Sequence, residues 1–198
     1  NGTVTDITVR PEISDDSDGI AASMNLDARS IPASYVDEIA ALPDVAQAQG
    51  AVDGLGLFVI KKNGKLLGGT GAPTLAFNTG GDDIPNAAGD QIIEWTSGTA
   101  PQGSGELALD ARSAENAGYL LGDTVRLAMP GDPPVVEAEL TGIFEFAEGG
   151  LAGATLVLFD TATAQQYFLD GQDAFTQIQA NAVDRKSTRL NSSHLVIS

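Results

Sequence analysis

The 198-residue chain carries 27 acidic against 10 basic side chains, a formal charge of −17, with no cysteine and one histidine. That balance excludes a nucleic-acid binder, whose affinity comes from clustered Lys and Arg releasing phosphate counterions, and argues against docking on anionic lipid. It also excludes disulfide and thiol chemistry, while a hydrophobic content of 42% suffices for an ordinary globular core.

In chain order, Thr3 to Arg10 is rich in β-branched residues and predicts a strand. Ser14 to Gly19 is a polar, acidic loop. Placing Gly19 at the sixth position of a calcium loop puts Ser14, Asp16 and Asp18 at the first, third and fifth, but Asn25 then falls at the twelfth, where a bidentate Glu is required. The loop is therefore read as a solvated acidic segment, with no metal site. Pro32 to Leu42 predicts a helix with Val36, Ile39 and Ala40 on one face, Ser34 and Asp37 at near capping-box spacing, and Pro43 as the stop. Leu55 to Ile60 and Leu66 to Gly69 predict a hairpin about an Asn63-Gly64 type I′ turn. Lys61, Lys62 and Lys65, the main basic cluster, flank that turn and are read as a solvated tip. Gly69-Thr70-Gly71 lacks the following Gly-Lys-Ser/Thr of a phosphate loop and is read as turn glycines.

Asp82 to Gly89 predicts a loop and Gln91 to Trp95 a short strand, Trp95 being read as a packed aromatic rather than a sugar platform. Glu106 to Leu109 predicts a strand, followed by a helix capped by Asp110 that ends near Gly118. The Leu121-Gly122-Asp123-Thr124-Val125 turn leads into a strand, Thr124 to Met129, and Pro130 to Pro134 is a turn. Val135 to Phe146 has a period of two: Val136, Ala138, Leu140, Phe144 and Phe146 face one way, and Glu137, Glu139, Thr141 and Glu145 the other. The apolar run Gly149 to Phe159 is shorter than the roughly 18–20 residues a membrane helix needs. It reads as a core strand or, alternatively, a partner-facing patch. Asp160 caps a last helix with Ala164, Tyr167 and Phe168 on one side, and Phe175 to Ala182 is a final strand. Strands mixed with a few short helices give an α+β fold with mixed or antiparallel pairing.

The last residues, Asp184 to Ser198, read DRKSTRLNSSHLVIS. Back-translated, they are similar to a common short-read sequencing adapter, so 184–198 is set apart as a non-native tail and the natural frame is expected to continue past Val183. The tail holds three of the basic residues and the sole histidine, His194. Without it no imidazole remains for a Ser-His-Asp or Cys-His site, and His/Cys zinc sites fail likewise. Two carboxylates alone could hydrolyse a glycoside, but nothing in the sequence singles out a pair.

The order of elements from Gly105 to Phe168, with its Leu-Gly-Asp-Thr-Val turn and the Thr141-Gly142-Ile143-Phe144 strand end, resembles the extracytoplasmic core domain of FtsX/MacB-type ABC transporter permeases, in the version common in actinobacteria. Gly71-Ala72-Pro73-Thr74-Leu75 and the Ala41-to-Val45 step resemble further segments of that family. Thr99 stands where the family usually has Arg in a Gly-Arg-x-Pro step, so any ion pair made by that Arg is missing. The resemblance implies a MacB-like periplasmic core domain over residues 1–183, in one domain or two lobes, set between membrane helices that lie outside this chain. It further implies no catalytic residue, cofactor or metal. The partners implied are a cytoplasmic ATP-binding subunit on a separate chain, a second permease copy in a homodimer or heterodimer, and a cell-wall or lipoprotein partner. The alternative is a free-standing extracellular ligand- or polysaccharide-binding module.

Overall fold

The computed structural model describes residues 7–11, 30–68, 73–79, 93–129, 134–146 and 153–182. Its larger layer is an eight-stranded mixed sheet of β4 (Asp53–Gly54), β5 (Phe58–Ile60), β6 (Thr74–Thr79), β7 (Ile93–Gly98), β8 (Glu106–Asp110), β9 (Thr124–Ala128), β10 (Val135–Phe146) and β11 (Thr155–Asp160). The strand order is β4-β6-β11-β8-β10-β9-β5, with β7 paired to the far half of β10. Two pairs, β6·β11 and β8·β10, are parallel. The expectation of an α+β fold with mixed pairing is met.

The apolar run of the sequence becomes β11, which lies inside the sheet and is buried on both faces. Val157 and Phe159 enter one core and Leu156 and Leu158 the other. A strand covered on both sides carries a continuous apolar run instead of alternation, so the described part of 149–159 is core and not a partner-facing patch. β8 divides in the same way, with Leu107 and Leu109 on one face and Ala108 on the other.

Two short helices cover the first face: α2 (Ala111–Ala117) through Ala114 and Ala117, and α3 (Thr161–Phe168) through Ala164, Tyr167 and Phe168. Both caps expected from the sequence are present. Asp110 Oδ1 accepts from Ser113 N–H at 2.9 Å and Asp160 Oδ1 from Thr163 N–H at 3.2 Å. At the far end of α2, Gly118 takes φ 80° and the N–H groups of Gly118 and Tyr119 close on the last carbonyls, the Schellman arrangement that a glycine permits.

The smaller layer is an antiparallel sheet in the order β1-β13-β3, from β1 (Ile7–Val9), β3 (Val45–Ala51) and β13 (Gln177–Ala182). The helix α1 (Ser34–Ala40) packs on it, and Val9, Ile31, Ile39, Ile178 and Ala180 form its core. A two-stranded ribbon of β2 (Ile31–Pro32) and β12 (Ala174–Phe175) lies beside it.

Three local expectations change. The helix N-cap is Ala33, without a side-chain cap bond, and Ser34 lies inside α1. Ile31-Pro32 is engaged in the ribbon and Ala33 N–H donates to Asp173 O, so the chain enters the helix one residue earlier than a Ser34 cap requires. Tyr35 then replaces the exposed Ala40 on the buried stripe with Val36 and Ile39. The Asn63-Gly64 turn is not type I′, because only Gly64 has positive φ (84°). Gly64 N–H closes on Lys61 O and Lys61 N–H on Lys65 O, the pattern of a longer loop ending in a glycine bulge. Finally, β10 does not keep one face throughout. Its register slips between Leu140 and Gly142 against β8 and between Ile143 and Phe144 against β7. Ala138, Leu140 and Ile143 therefore pack in the helix-covered core while Phe144 and Phe146 pack in the opposite one. One extra residue in a strand reverses every later side chain.

Candidate functional site

Among the described residues, two clusters of polar side chains that join distant segments stand out. The first is where the 61–65 hairpin meets the turn between α2 and β9. Lys62 N–H donates to Ala117 O, and Tyr119 OH donates to Ile60 O at 2.6 Å. The Lys62 ammonium lies over the Tyr119 ring and forms an ion pair with Asp123 Oδ2 at 2.6 Å. That oxygen also accepts from Leu120 N–H at 2.7 Å. The Lys62 hydrogen bond, then that of the Leu120 amide, holds the Asp123 carboxyl below its ordinary 3.8. Lys62 and Lys65 are both exposed, as expected of a solvated tip, and the Lys62 ammonium is in addition paired with Asp123 as a surface clasp. The Leu-Gly-Asp-Thr-Val turn has its explanation here: Gly122 N–H donates to Leu140 O, Leu140 N–H donates to Asp123 O, and Gly122 supplies the positive φ of 82°. Leu120 (71% exposed) and Leu66 (47%) flank the clasp on the outside.

The second is the joint between the two sheets. The chain passes from β3 to β4 through the buried Val52 and returns from β12 to β13 through Thr176. Thr176 binds both crossings: its N–H and its hydroxyl donate to Ala51 O, at 2.9 and 3.0 Å, and the hydroxyl accepts from Asp53 N–H at 2.9 Å. Asn78, on β6 of the large sheet, accepts from Val52 N–H at 2.8 Å and donates to Gly50 O on β3 and to Thr161 Oγ1 at the start of α3. Arg10, just past β1, donates from Nε to Gln177 Oε1 at 3.2 Å. Packing is tight: a Cβ on Gly50 would run into the Phe175 ring, and one on Gly54 would meet the Phe168 ring at 2.5 Å. Sequence reasoning placed Phe168 on the packed side of its helix but singled out none of the polar residues of the joint. The one available signal was Asn78, an amide in an otherwise apolar and β-branched strand, where Asn is disfavoured.

The remaining candidates resolve as follows. Trp95 packs edge-on against Phe144 at 5.9 Å, a packed aromatic as expected. Glu94 and Glu145 stand directly opposite one another on β7 and β10, both exposed. Asp53 is the one carboxyl among the described residues pushed above its ordinary 3.8; burial raises it, and Arg10 and the Thr176 hydroxyl oppose that. Burial also raises the Tyr167 hydroxyl, with Asp160 adding to it. Among the described residues no three His, Cys, Asp or Glu side chains gather to hold a metal ion, and no helix is long and apolar enough to cross a membrane. The Ser14–Gly19 loop, Gly69-Thr70-Gly71, Asp82–Gly89 and the 184–198 tail with His194 lie outside the described residues.

No family model and no curated protein matches the sequence. Solved structures do. The extracellular domain of the noncanonic ABC-type transporter YknZ from Gram-positive bacteria is 11% identical and matches with a TM-score of 0.55, over 89% of this chain and 82% of that one. The fold is that of a permease extracytoplasmic domain. A domain of a protein described as a permease from Porphyromonas gingivalis, 14% identical, matches this permease-domain fold with a TM-score of 0.52 over 80% of this chain and 71% of that one. The periplasmic region of MacB from Actinobacillus actinomycetemcomitans is also similar, at 11% identity and a TM-score of 0.49 over 87% and 74%. The α+β fold of a permease extracytoplasmic domain, implied by the resemblance of Gly105 to Phe168, is the fold observed. Within the permease-domain fold, the Lys62 clasp ties the edge hairpin of the large sheet to the turn before β9, and the Asn78–Thr176 joint ties that sheet to the smaller one.

Proposed function

We propose that this chain is the extracytoplasmic domain of an ABC transporter permease subunit. It is a non-catalytic module that couples the ATP-driven motion of a cytoplasmic ATPase partner to export, or to an external cell-wall or lipoprotein partner. The observation that carries the reading is the match of nearly the whole chain to the extracellular domain of YknZ. The architecture suits such a role. Two sheets with separate cores are joined, among the described residues, at the Val52–Thr176 crossings, so a displacement of one can be passed to the other through these bonds. On this reading residues 1–183 form the domain, its two layers are its two lobes, 184–198 is foreign sequence, and the membrane helices lie outside the chain. The permease works as a dimer.

The test is to resequence the locus from the source DNA through Val183 and upstream of Asn1. The reading expects apolar spans of about 20 residues on both sides, the length a bilayer requires. A frame that ends as written, without flanking spans, overturns it and leaves the free-standing extracellular binding module as the better account.

A further inference from the structure

The tip of the 61–65 hairpin carries an Asn-Gly pair that the clasp does not use. The asparagines among the described residues are Asn63, Asn78, Asn116 and Asn181. Asn78 and Asn181 lie in β6 and β13 and Asn116 in α2, and each precedes a residue with a side chain, Thr79, Ala182 and Ala117. Of the four, only Asn63 lies outside helix and strand, is exposed, and precedes glycine. A Cβ built on Gly64 would meet nothing within 4 Å, so the backbone there is uncrowded. Asn63 Oδ1 accepts from Lys65 N–H at 3.1 Å, which draws electrons from the side-chain carbonyl carbon. Asparagine is among the thermolabile side chains, and its neighbour and backbone freedom decide which copy reacts.

We propose that Asn63 is a self-modification site, where the Gly64 backbone nitrogen attacks the Asn63 side-chain carbonyl and the neutral amide becomes a carboxylate. That nitrogen and Cγ end the bonded run Cγ–Cβ–Cα–C–N, so joining them closes a five-membered succinimide with no recruited partner. The bond from the Gly64 nitrogen to Cγ forms and the bond from Cγ to Nδ2 breaks. The side-chain nitrogen leaves as ammonia, taking the proton that Gly64 N–H gives up. Water then opens the imide at either carbonyl. The product is aspartate, or isoaspartate with the backbone routed through Cβ. Nothing is oxidised or reduced, and water is the sole co-reactant. Glycine leaves the attacking nitrogen least hindered and its backbone freest to reach the ring geometry. Asn78, Asn116 and Asn181 are held by the hydrogen bonds of their strands and helix, which ring closure would have to break. The restraint at Asn63 is the bond from Gly64 N–H to Lys61 O at 2.8 Å. It is a backbone bond on an exposed turn, the kind that opens locally at small cost in free energy. Each conversion puts a negative charge among Lys61, Lys62 and Lys65, the main basic cluster of the chain. The site stands independently of the permease reading.

The test holds the full chain in mildly alkaline and, in parallel, mildly acidic buffer, and follows each asparagine by site-resolved peptide mass spectrometry. Mass reads the exchange of amide for acid, and fragmentation at the extra backbone carbon reads isoaspartate. Asn1-Gly2, the other Asn-Gly pair of the chain, lies outside the described residues and is read from its own peptide. Asn63 is expected to convert several-fold faster than Asn78, Asn116 and Asn181, with isoaspartate among its products. It should convert faster in alkali, because the attacking nitrogen must lose its proton. Gly64→Ala should slow the conversion several-fold, since a Cβ crowds that nitrogen. Equal rates at the four asparagines overturn the proposal. So does aspartate alone as the product, which marks direct hydrolysis by water, and so does a Gly64→Ala rate equal to that of wild type. The ranking and the isoaspartate are read on the unmutated protein, so they decide the matter even if Gly64→Ala disturbs the turn at its φ of 84°.

Discussion

Replacing Gly142 by Ala adds a single methyl where β10 crosses β7, and the structure leaves no room for it. Gly142 lies directly opposite Gly98, and its Cβ would fall deep inside contact distance of the Thr99 carbonyl oxygen and at 2.5 Å from the Trp95 ring. The carbonyl cannot yield easily, because Thr99 N–H is bonded to Thr141 O at 3.0 Å and holds the two segments together. Overpacking of this kind costs about 1–3 kcal/mol. Against it, Ala restricts the unfolded chain and returns about 0.4–1 kcal/mol. The expected net loss is about 1–2 kcal/mol, a fall in melting temperature of about 2–8 °C for a domain of this size. Gly98→Ala should lose about 1 kcal/mol more, because its φ of 72° adds the left-handed penalty to a clash with the Thr141 carbonyl. Gly103, with open space around it, is the control, and its Ala variant should lie within about 0.5 kcal/mol of wild type. Urea unfolding followed by the single tryptophan measures all three, and Trp95 emission gives a local reading because that ring is what the methyl meets. Should Gly142→Ala prove as stable as Gly103→Ala, the close approach of the two strands is wrong.

Asp110 should matter more than Asp160, although both cap helices. Its second oxygen also accepts from Leu156 N–H at 2.8 Å, whereas Asp160 Oδ2 has no partner. Asp110→Ala therefore loses a cap and orphans an amide, about 2–4 kcal/mol, against about 1 kcal/mol for Asp160→Ala, by denaturant titration. Glu145→Lys replaces a like-charge cross-strand pair with an attractive one opposite Glu94. It should stabilise by about 0.5–1 kcal/mol at low salt, a gain that shrinks as ionic strength rises. The Asp123 carboxyl is lowered in the folded state, so its contribution is present above 3.8 and is lost as pH falls through the lower folded value. Asp123→Asn should accordingly flatten the acid limb of the stability profile, measured by thermal unfolding across that range. Asp53 has the opposite sign: raised in the folded state, it lowers stability once ionised, so Asp53→Asn should gain stability above 3.8 and change little in stronger acid.

The local signals in the chain are written within single segments, and those were legible from sequence alone. Asp110 and Asp160 before short helices, Gly118 after one, and the apolar run to Phe159 each depend on residues a few positions apart, through one cap bond, one left-handed φ or one buried strand. They are enough for an α+β order of elements and for the likeness of Gly105 to Phe168 to a permease domain. What the tertiary structure decided is which segments meet. The parallel pairing of β6 with β11 and of β8 with β10, the bulge that sends Phe144 to the opposite core from Leu140, and the capture of Lys62 by Asp123 depend on partners brought from far along the chain. No local pattern encodes them, because side-chain alternation is blind to an inserted residue and a lysine's charge does not name its partner. The joint is the extreme case. Arg10, Asp53, Asn78 and Thr176 are scattered along the chain as ordinary polar residues, and they become a unit only because burial of two separate cores brings the Val52 and Thr176 crossings side by side.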